Sequence, residues 1–206
     1  MCRAVAELST NVEIRISQYI PFTQAEGPGN RACIQVQGCP IRCPGCAVPH
    51  TWSADGGKVV ETQSLVSQIL DGPEVEGVTF LGGEPFAQAA ALADLGRQVK
   101  ENGLSVVTFS GYRIEDITSA NRDCYNDLLS VTDLLIDGPF ERENVNFSRP
   151  WVGSSNQRYH FLTNRYLHLA NTLSSIPNRI EIRLKPDGRV LINGLAPIDE
   201  MKSLIK

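Results

Sequence analysis

The chain has 206 residues, 42% of them hydrophobic, with a formal net charge of −4 and a pI near 5.4. This length suits one domain, or a domain with appendages, and supports a sizeable core, while the acidic balance gives no basic field for nucleic acid or an anionic membrane. No apolar run approaches the ~20 residues that cross a bilayer, and the charged, polar start lacks a signal-peptide core. The expected location is cytoplasmic, where six cysteines read as metal ligands or buried thiols, not as a disulfide framework.

Residues 1–11 carry no pattern. Val12, Ile14 and Ile16 alternate with Glu13 and Arg15, the period of a strand with one buried face. Ile20-Pro21-Phe22 then leads into the turn cluster Glu26-Gly27-Pro28-Gly29-Asn30. Residues 32–37 read as a second strand. It delivers the chain into Gly38-Cys39-Pro40-Ile41-Arg42-Cys43-Pro44-Gly45-Cys46-Ala47-Val48-Pro49-His50-Thr51-Trp52.

That stretch must be a loop, because proline breaks helices and ladders and glycine supplies backbone freedom. It gathers three cysteines as Cys-x3-Cys-x2-Cys. Iron–sulfur cubanes are normally held by four thiolates, so three leave one iron open to another ligand. Zinc is the rival, since His50 completes a three-Cys, one-His set. Spacing alone leaves both open.

Residues 61–70 place Leu65, Val66, Ile69 and Leu70 at helical spacing before Asp71-Gly72-Pro73. Residues 77–81 form a short apolar strand ending at Gly82-Gly83-Glu84-Pro85. An amphipathic helix over 86–102 stops at Gly103. A strand over 104–109 ends at Ser110-Gly111-Tyr112. Helices follow over 113–119 and 123–129, with Asp123 expected as an N-cap. The strand over 132–136 ends at Asp137-Gly138-Pro139-Phe140.

Alternating strands and helices with apolar strands imply a parallel sheet covered by helices. Chemistry in such folds collects at the carboxyl ends of the strands, and all four loops named above follow strands. Residues 144–156 read as polar and irregular, and 166–174 as helical. Residues 179–184 and 189–192 flank Pro186-Asp187-Gly188 as a hairpin, and a terminal helix is expected over 198–205.

The cysteine loop joined to Gly82-Gly83-Glu84-Pro85 resembles the radical S-adenosylmethionine (SAM) superfamily. Within it, the likeness is to the activating proteins of anaerobic ribonucleoside-triphosphate reductase. It extends through Tyr19-Ile20-Pro21-Phe22, Glu26-Gly27-Pro28-Gly29 with Arg31, Gln37-Gly38, Thr51-Trp52, Gly111-Tyr112, Ile136-Asp137-Gly138 and Gly153-Ser154-Ser155-Asn156-Gln157, over about residues 14–162. The chain departs from that pattern at Ala47, where an aromatic is common, at Glu26, where Asp is common, and in its longer C-terminus.

The resemblance implies an α/β fold: a partial (β/α) barrel of radical SAM type with a C-terminal β-hairpin/helix extension. Residues 1–162 would form the core with its N-terminal arm, and 163–206 the extension packed on it. A [4Fe-4S] cluster would be held by Cys39, Cys43 and Cys46, its free iron chelating SAM. Gly82, Gly83, Glu84 and Pro85 would receive the SAM ammonium, with Ser110 and Asp137 near the nucleoside or substrate. No catalytic side chain is implied, because cluster and SAM carry the chemistry.

The activity implied is reductive cleavage of SAM to a 5′-deoxyadenosyl radical that installs a glycyl radical on a separate reductase subunit. The alternative is a stand-alone enzyme modifying a peptide or small metabolite. Electrons would come from an external flavodoxin- or ferredoxin-type donor. Cys33 and Cys124 are read as packed thiols, and His50, His160 and His168 as packing or solvent-facing groups.

Overall fold

The structure is a computed structural model that describes residues 12–196. A seven-stranded sheet runs in the order β3-β1-β2-β4-β5-β6-β7. Its strands are β1 (Glu13–Thr23), β2 (Arg31–Val36), β3 (Lys58–Glu61), β4 (Gly77–Gly82), β5 (Ser105–Phe109), β6 (Leu134–Asp137) and β7 (Arg158–Phe161). The central four, β2-β4-β5-β6, are parallel, while β1, β3 and β7 pair antiparallel. The two ends of the sheet do not pair with each other, so it is a partial barrel and not a closed one.

Strand β1 outruns its alternating start. Its pairing with β2 shifts between Ile16 and Gln18 and again between Ile20 and Thr23. Pro21 lies within the second irregularity, a position where a missing ladder donor is tolerated. The short β3 and β7 were not legible in the sequence. Each is an outer strand, too brief for a periodic signal.

Helices α1 (Thr62–Leu70), α2 (Ala89–Glu101), α3 (Ile114–Ser119) and α4 (Asp123–Val131) cover one face of the sheet. Leu65, Ile69, Leu92, Leu95, Val99 and Leu128 pack there against Ile14, Ile34, Val78, Phe80, Val106 and Leu135. Asp123 is the first helical residue of α4, and Arg122, in extended conformation, occupies the N-cap. A carboxylate in the first turn still favours the positive end of the helix. The expected helix over 86–102 divides into a 3-10 turn, Pro85–Gln88, and α2.

On the opposite face, Val107, Leu134 and Ile136 pack with Trp151, Val152 and Tyr166. The expected helix over 166–174 is instead two 3-10 turns, Asn164–Leu169 and Leu173–Ser175. Tyr166 is tied to the sheet by a fully buried cation. The Arg31 guanidinium donates to Tyr166 Oη at 2.7 Å and to Thr79 Oγ1 at 2.6 Å.

The hairpin forms as read, from β8 (Ile180–Leu184) and β9 (Val190–Gly194). It docks on the turn after β1. Asn193 Nδ2 donates to Thr23 Oγ1 at 2.9 Å, and Arg179 Nη1 to Gln24 Oε1 at 2.7 Å. Residues 1–11 and the helix expected over 198–205 lie outside the described residues. Cys33 is a buried free thiol. Cys124 is buried, as expected.

Candidate cluster and nucleotide site

Because β2, β4, β5 and β6 are parallel, the loops that follow them emerge at one end of the sheet. The cysteine loop is anchored at both ends of its span. Gly38 N–H donates to Thr51 O at 2.8 Å and Cys39 N–H to Trp52 O at 3.1 Å. Gln37, buried, donates through Nε2 to His50 O at 3.1 Å and Ser53 O at 2.7 Å. Gln88 Nε2 in turn donates to Gln37 O at 3.0 Å. These bonds close residues 38–52 into a fixed bow.

The loop after β4 lies directly against this bow. Gly83 N–H donates to Val36 O at 2.8 Å and Glu84 N–H to Gly38 O at 2.9 Å. Gly82 has φ of 106°, and a Cβ on it would stand 2.8 Å from Gln35 Cα. A Cβ on Gly83 would stand 2.4 Å from Gly38 O. Both glycines are therefore required for backbone to approach backbone. Their first task is to press the β4 loop against the entrance of the cysteine loop.

One cavity results, lined by Cys39, Ile41, Cys43, Cys46, Thr51, Trp52, Gly82, Gly83, Glu84 and Gly111. The three thiols are partly exposed in it. Burial pushes the Cys43 thiol above its ordinary range, the Phe140 N–H pulls it down, and the neighbouring Cys39 and Cys46 push it up again. Val48 N–H donates to Cys46 Sγ at 3.4 Å. Such N–H···S bonds suit an iron–sulfur centre, whose potential they tune. His50 is exposed on the 3-10 turn Pro49–Thr51 and does not line the cavity. Among the described residues no three His, Cys, Asp or Glu side chains sit closely enough to hold a single ion.

Glu84 is fully buried at the inner wall. Its Oε1 accepts Phe86 N–H and Ser110 Oγ–H, both at 2.9 Å, and its Oε2 accepts Gly111 N–H at 2.8 Å. Burial pushes its carboxyl up to about 7 against the pull of these three donors. Each carboxylate oxygen has two lone pairs. Oε1 is filled, and Oε2 keeps one acceptor position. Pro85 begins the turn capped by Glu84, and Ser110 also receives the Tyr112 N–H at 3.0 Å.

Asp137 is placed apart from this cavity. It is fully buried at the end of β6 and accepts Ile114 N–H at 2.7 Å, Arg158 Nη2 at 2.6 Å and Arg158 Nε at 3.0 Å. His160 Nε2 lies 3.1 Å from Asp137 Oδ2. Burial raises its carboxyl, but Arg158, the Ile114 amide and His160 outweigh burial and hold it below the usual range. The sequence thus brought Cys39, Cys43, Cys46, Gly82, Gly83 and Glu84 into one cavity, with Ser110 and Pro85 just behind the wall. Gln37, Gln88, Ile41 and Phe140 were not singled out for the site. Gln37 belonged to the family likeness, and Ile41 and Phe140 to two of the loops that follow strands, but Gln88 carried no local signal.

The family model described as "4Fe-4S single cluster domain" matches residues 25–160. The anaerobic ribonucleoside-triphosphate reductase-activating protein of Escherichia coli (strain K12) is 29% identical over 154 residues, which cover 70% of this chain and 97% of that one. Its counterpart in Vibrio cholerae is 30% identical over 154 residues, covering 71% and 97%. The pyruvate formate-lyase-activating enzyme of Clostridium pasteurianum is 33% identical over 117 residues, covering 54% of this chain and 46% of that one. The three thiols therefore lie within the matched 4Fe-4S domain. This chain belongs to the 4Fe-4S single cluster domain family and, within it, to the family of anaerobic ribonucleoside-triphosphate reductase-activating proteins.

Proposed function

We propose that this chain is a radical SAM activase that installs a glycyl radical on an anaerobic ribonucleoside-triphosphate reductase. The observation that carries the reading is the single cavity in which three thiols face the Gly82–Glu84 turn. Cys39, Cys43 and Cys46 would hold a [4Fe-4S] cluster. When bound, the cluster would supply the electron for reductive cleavage of SAM, the chemistry that would take a hydrogen atom from a glycine of the partner.

The chain's own residues bind, orient and exclude water. The remaining acceptor position on Glu84 Oε2 suits the SAM ammonium, and Ser110 fixes that carboxylate through its 2.9 Å bond. Gly111 and Ile41 close the wall beside it. A Cβ on Gly111 would stand 2.7 Å from Ile41 Cδ1, so these loops are already in contact. Asp137 holds the β6 loop through Arg158 and the start of α3 through Ile114, and in this way sets the far rim of the site. Among the described residues no helix is long and apolar enough to cross a membrane, and we place the reaction in the cytoplasm.

The test is anaerobic reconstitution with iron and sulfide, reduction, and assay for 5′-deoxyadenosine. Addition of the reductase subunit should then give a glycyl doublet by electron paramagnetic resonance. SAM cleavage without that doublet would redirect the substrate assignment, and no cleavage by a fully loaded protein would remove the reading itself.

A further inference from the structure

The cysteine loop has an inner and an outer side. Ile41 turns inward against Gly111, whereas Pro44, Gly45 and Ala47 are exposed. Proline, glycine and alanine make a thin cover over the outer side of the three thiols. Two arginines flank it. Arg42 is exposed and holds a φ of 53°, a left-handed conformation uncommon outside glycine. Arg142, also exposed, lies over the Cys43–Cys46 turn, its Cδ 3.6 Å from the place a Cβ would take on Gly45.

Among the described residues neither arginine enters an ion pair. Arg113 and Glu141 nearby lie 3.9 Å apart and balance each other. Glu143, next in sequence to Arg142 and exposed, offsets part of the charge and leaves the patch net positive. That is a local exception on a chain of net charge −4. Electron-transfer encounters bury small interfaces and depend on opposite charge to orient and speed them.

We propose that the outer side of the cysteine loop, flanked by Arg42 and Arg142, is the docking surface for an acidic one-electron carrier protein. The inference rests on the radical SAM reading above, which requires an electron from outside. One electron leaves the reduced carrier and enters the cluster, and no bond or proton is transferred. The inner side, at Glu84, is left to the nucleotide.

The test follows cluster bleaching after rapid mixing of the reconstituted protein with a reduced acidic flavodoxin and, separately, with a reduced acidic ferredoxin. Arg42→Glu combined with Arg142→Glu should slow the carrier-driven rate at low ionic strength by about tenfold or more, the usual scale of electrostatic steering. The wild-type rate should fall toward the variant's as salt rises. The oxidised carrier's binding constant should weaken in parallel, measured also on cluster-free protein. Dithionite, which needs no docking surface, should bleach both proteins equally.

Arg42→Asn, which tolerates the left-handed backbone, and Arg142→Gln should each give a partial loss if the double variant does not fold. Equal carrier-driven rates in wild type and variants would overturn the proposal. So would a wild type reduced by dithionite but by neither carrier. Failure of the dithionite-reduced protein to cleave SAM would count against the activase reading alone, because docking is judged by bleaching and binding.

Discussion

Glu26 Oε1 accepts the backbone N–H of Gly194 at 2.7 Å, a bond between residues 168 apart in the chain. Asn193 also hydrogen-bonds this carboxylate. The family turn, in which aspartate is common at this position, here carries a side chain one methylene longer, and that side chain meets the hairpin lying beyond the family match. The departure from the family pattern and the extra segment are thus one structural feature.

Glu26→Asp should withdraw the carboxylate and loosen the hairpin. Loss of bonds worth about 1 kcal/mol each predicts roughly five- to thirty-fold faster amide exchange in β8 and β9, with the sheet unchanged. Burial raises the Glu26 carboxyl above 4.5. A carboxyl raised in the folded state contributes stability below its unfolded value, and that stability is lost as pH rises. Hairpin protection should therefore decline above about pH 4.5, and Glu26→Gln should flatten the decline. Exchange rates in β8 and β9 indifferent to both substitutions would show that the hairpin is held elsewhere.

Cys43→Ala should remove the cluster while sparing the fold. The side chain is only partly buried, so the loss of stability should stay within about 1 kcal/mol. Iron and sulfide per chain should fall by at least about tenfold after anaerobic reconstitution, since a cubane left with two thiolates is poorly held. Wild-type iron content in this variant would refute the assignment.

Gly83→Ala tests the contact between the two loops. The added methyl would stand 2.4 Å from Gly38 O and 2.9 Å from Gly38 C, a backbone clash that cannot be relieved by a rotamer change. Overpacking of this kind costs about 1–3 kcal/mol. A melting temperature lower by a few degrees, with weaker iron retention, is the expected result. A variant as stable and as iron-rich as wild type would mean that the loops do not touch in this way.

Glu84 should make ligand binding release a proton. Its carboxyl is raised to about 7 in the folded chain, so stability falls as pH rises from about 4.5 to about 7 and levels off above. The full shift corresponds to roughly 3 kcal/mol. An ammonium at the open Oε2 position would favour the ionised form and expel the proton. Calorimetry of SAM binding near pH 6.5, in buffers of different ionisation enthalpy, should report a released fraction of a proton that disappears in Glu84→Gln. Buffer-independent heats would remove Glu84 from the ammonium site.

What the sequence determined by itself was local. The spacing of Cys39, Cys43 and Cys46, the prolines and glycine between them, and the alternation of β1 are read within a few residues. So is the Pro186-Asp187-Gly188 turn of the hairpin. Strand–helix alternation further implied that the functional loops share one end of a parallel sheet, as β2, β4, β5 and β6 do.

Tertiary structure alone decided how the polar groups are used, because their partners are remote in sequence. Arg158, 21 residues away on the unforeseen β7, occupies Asp137, a carboxylate that sequence had placed beside the substrate. Gly111, 27 residues from Glu84, occupies half of its inner oxygen. The pairing of β6 with β7 and the contact between the β4 and β5 loops create these bonds, and neither leaves a periodic trace along the chain. A buried carboxylate takes its charge and its role from the donors that folding brings to it.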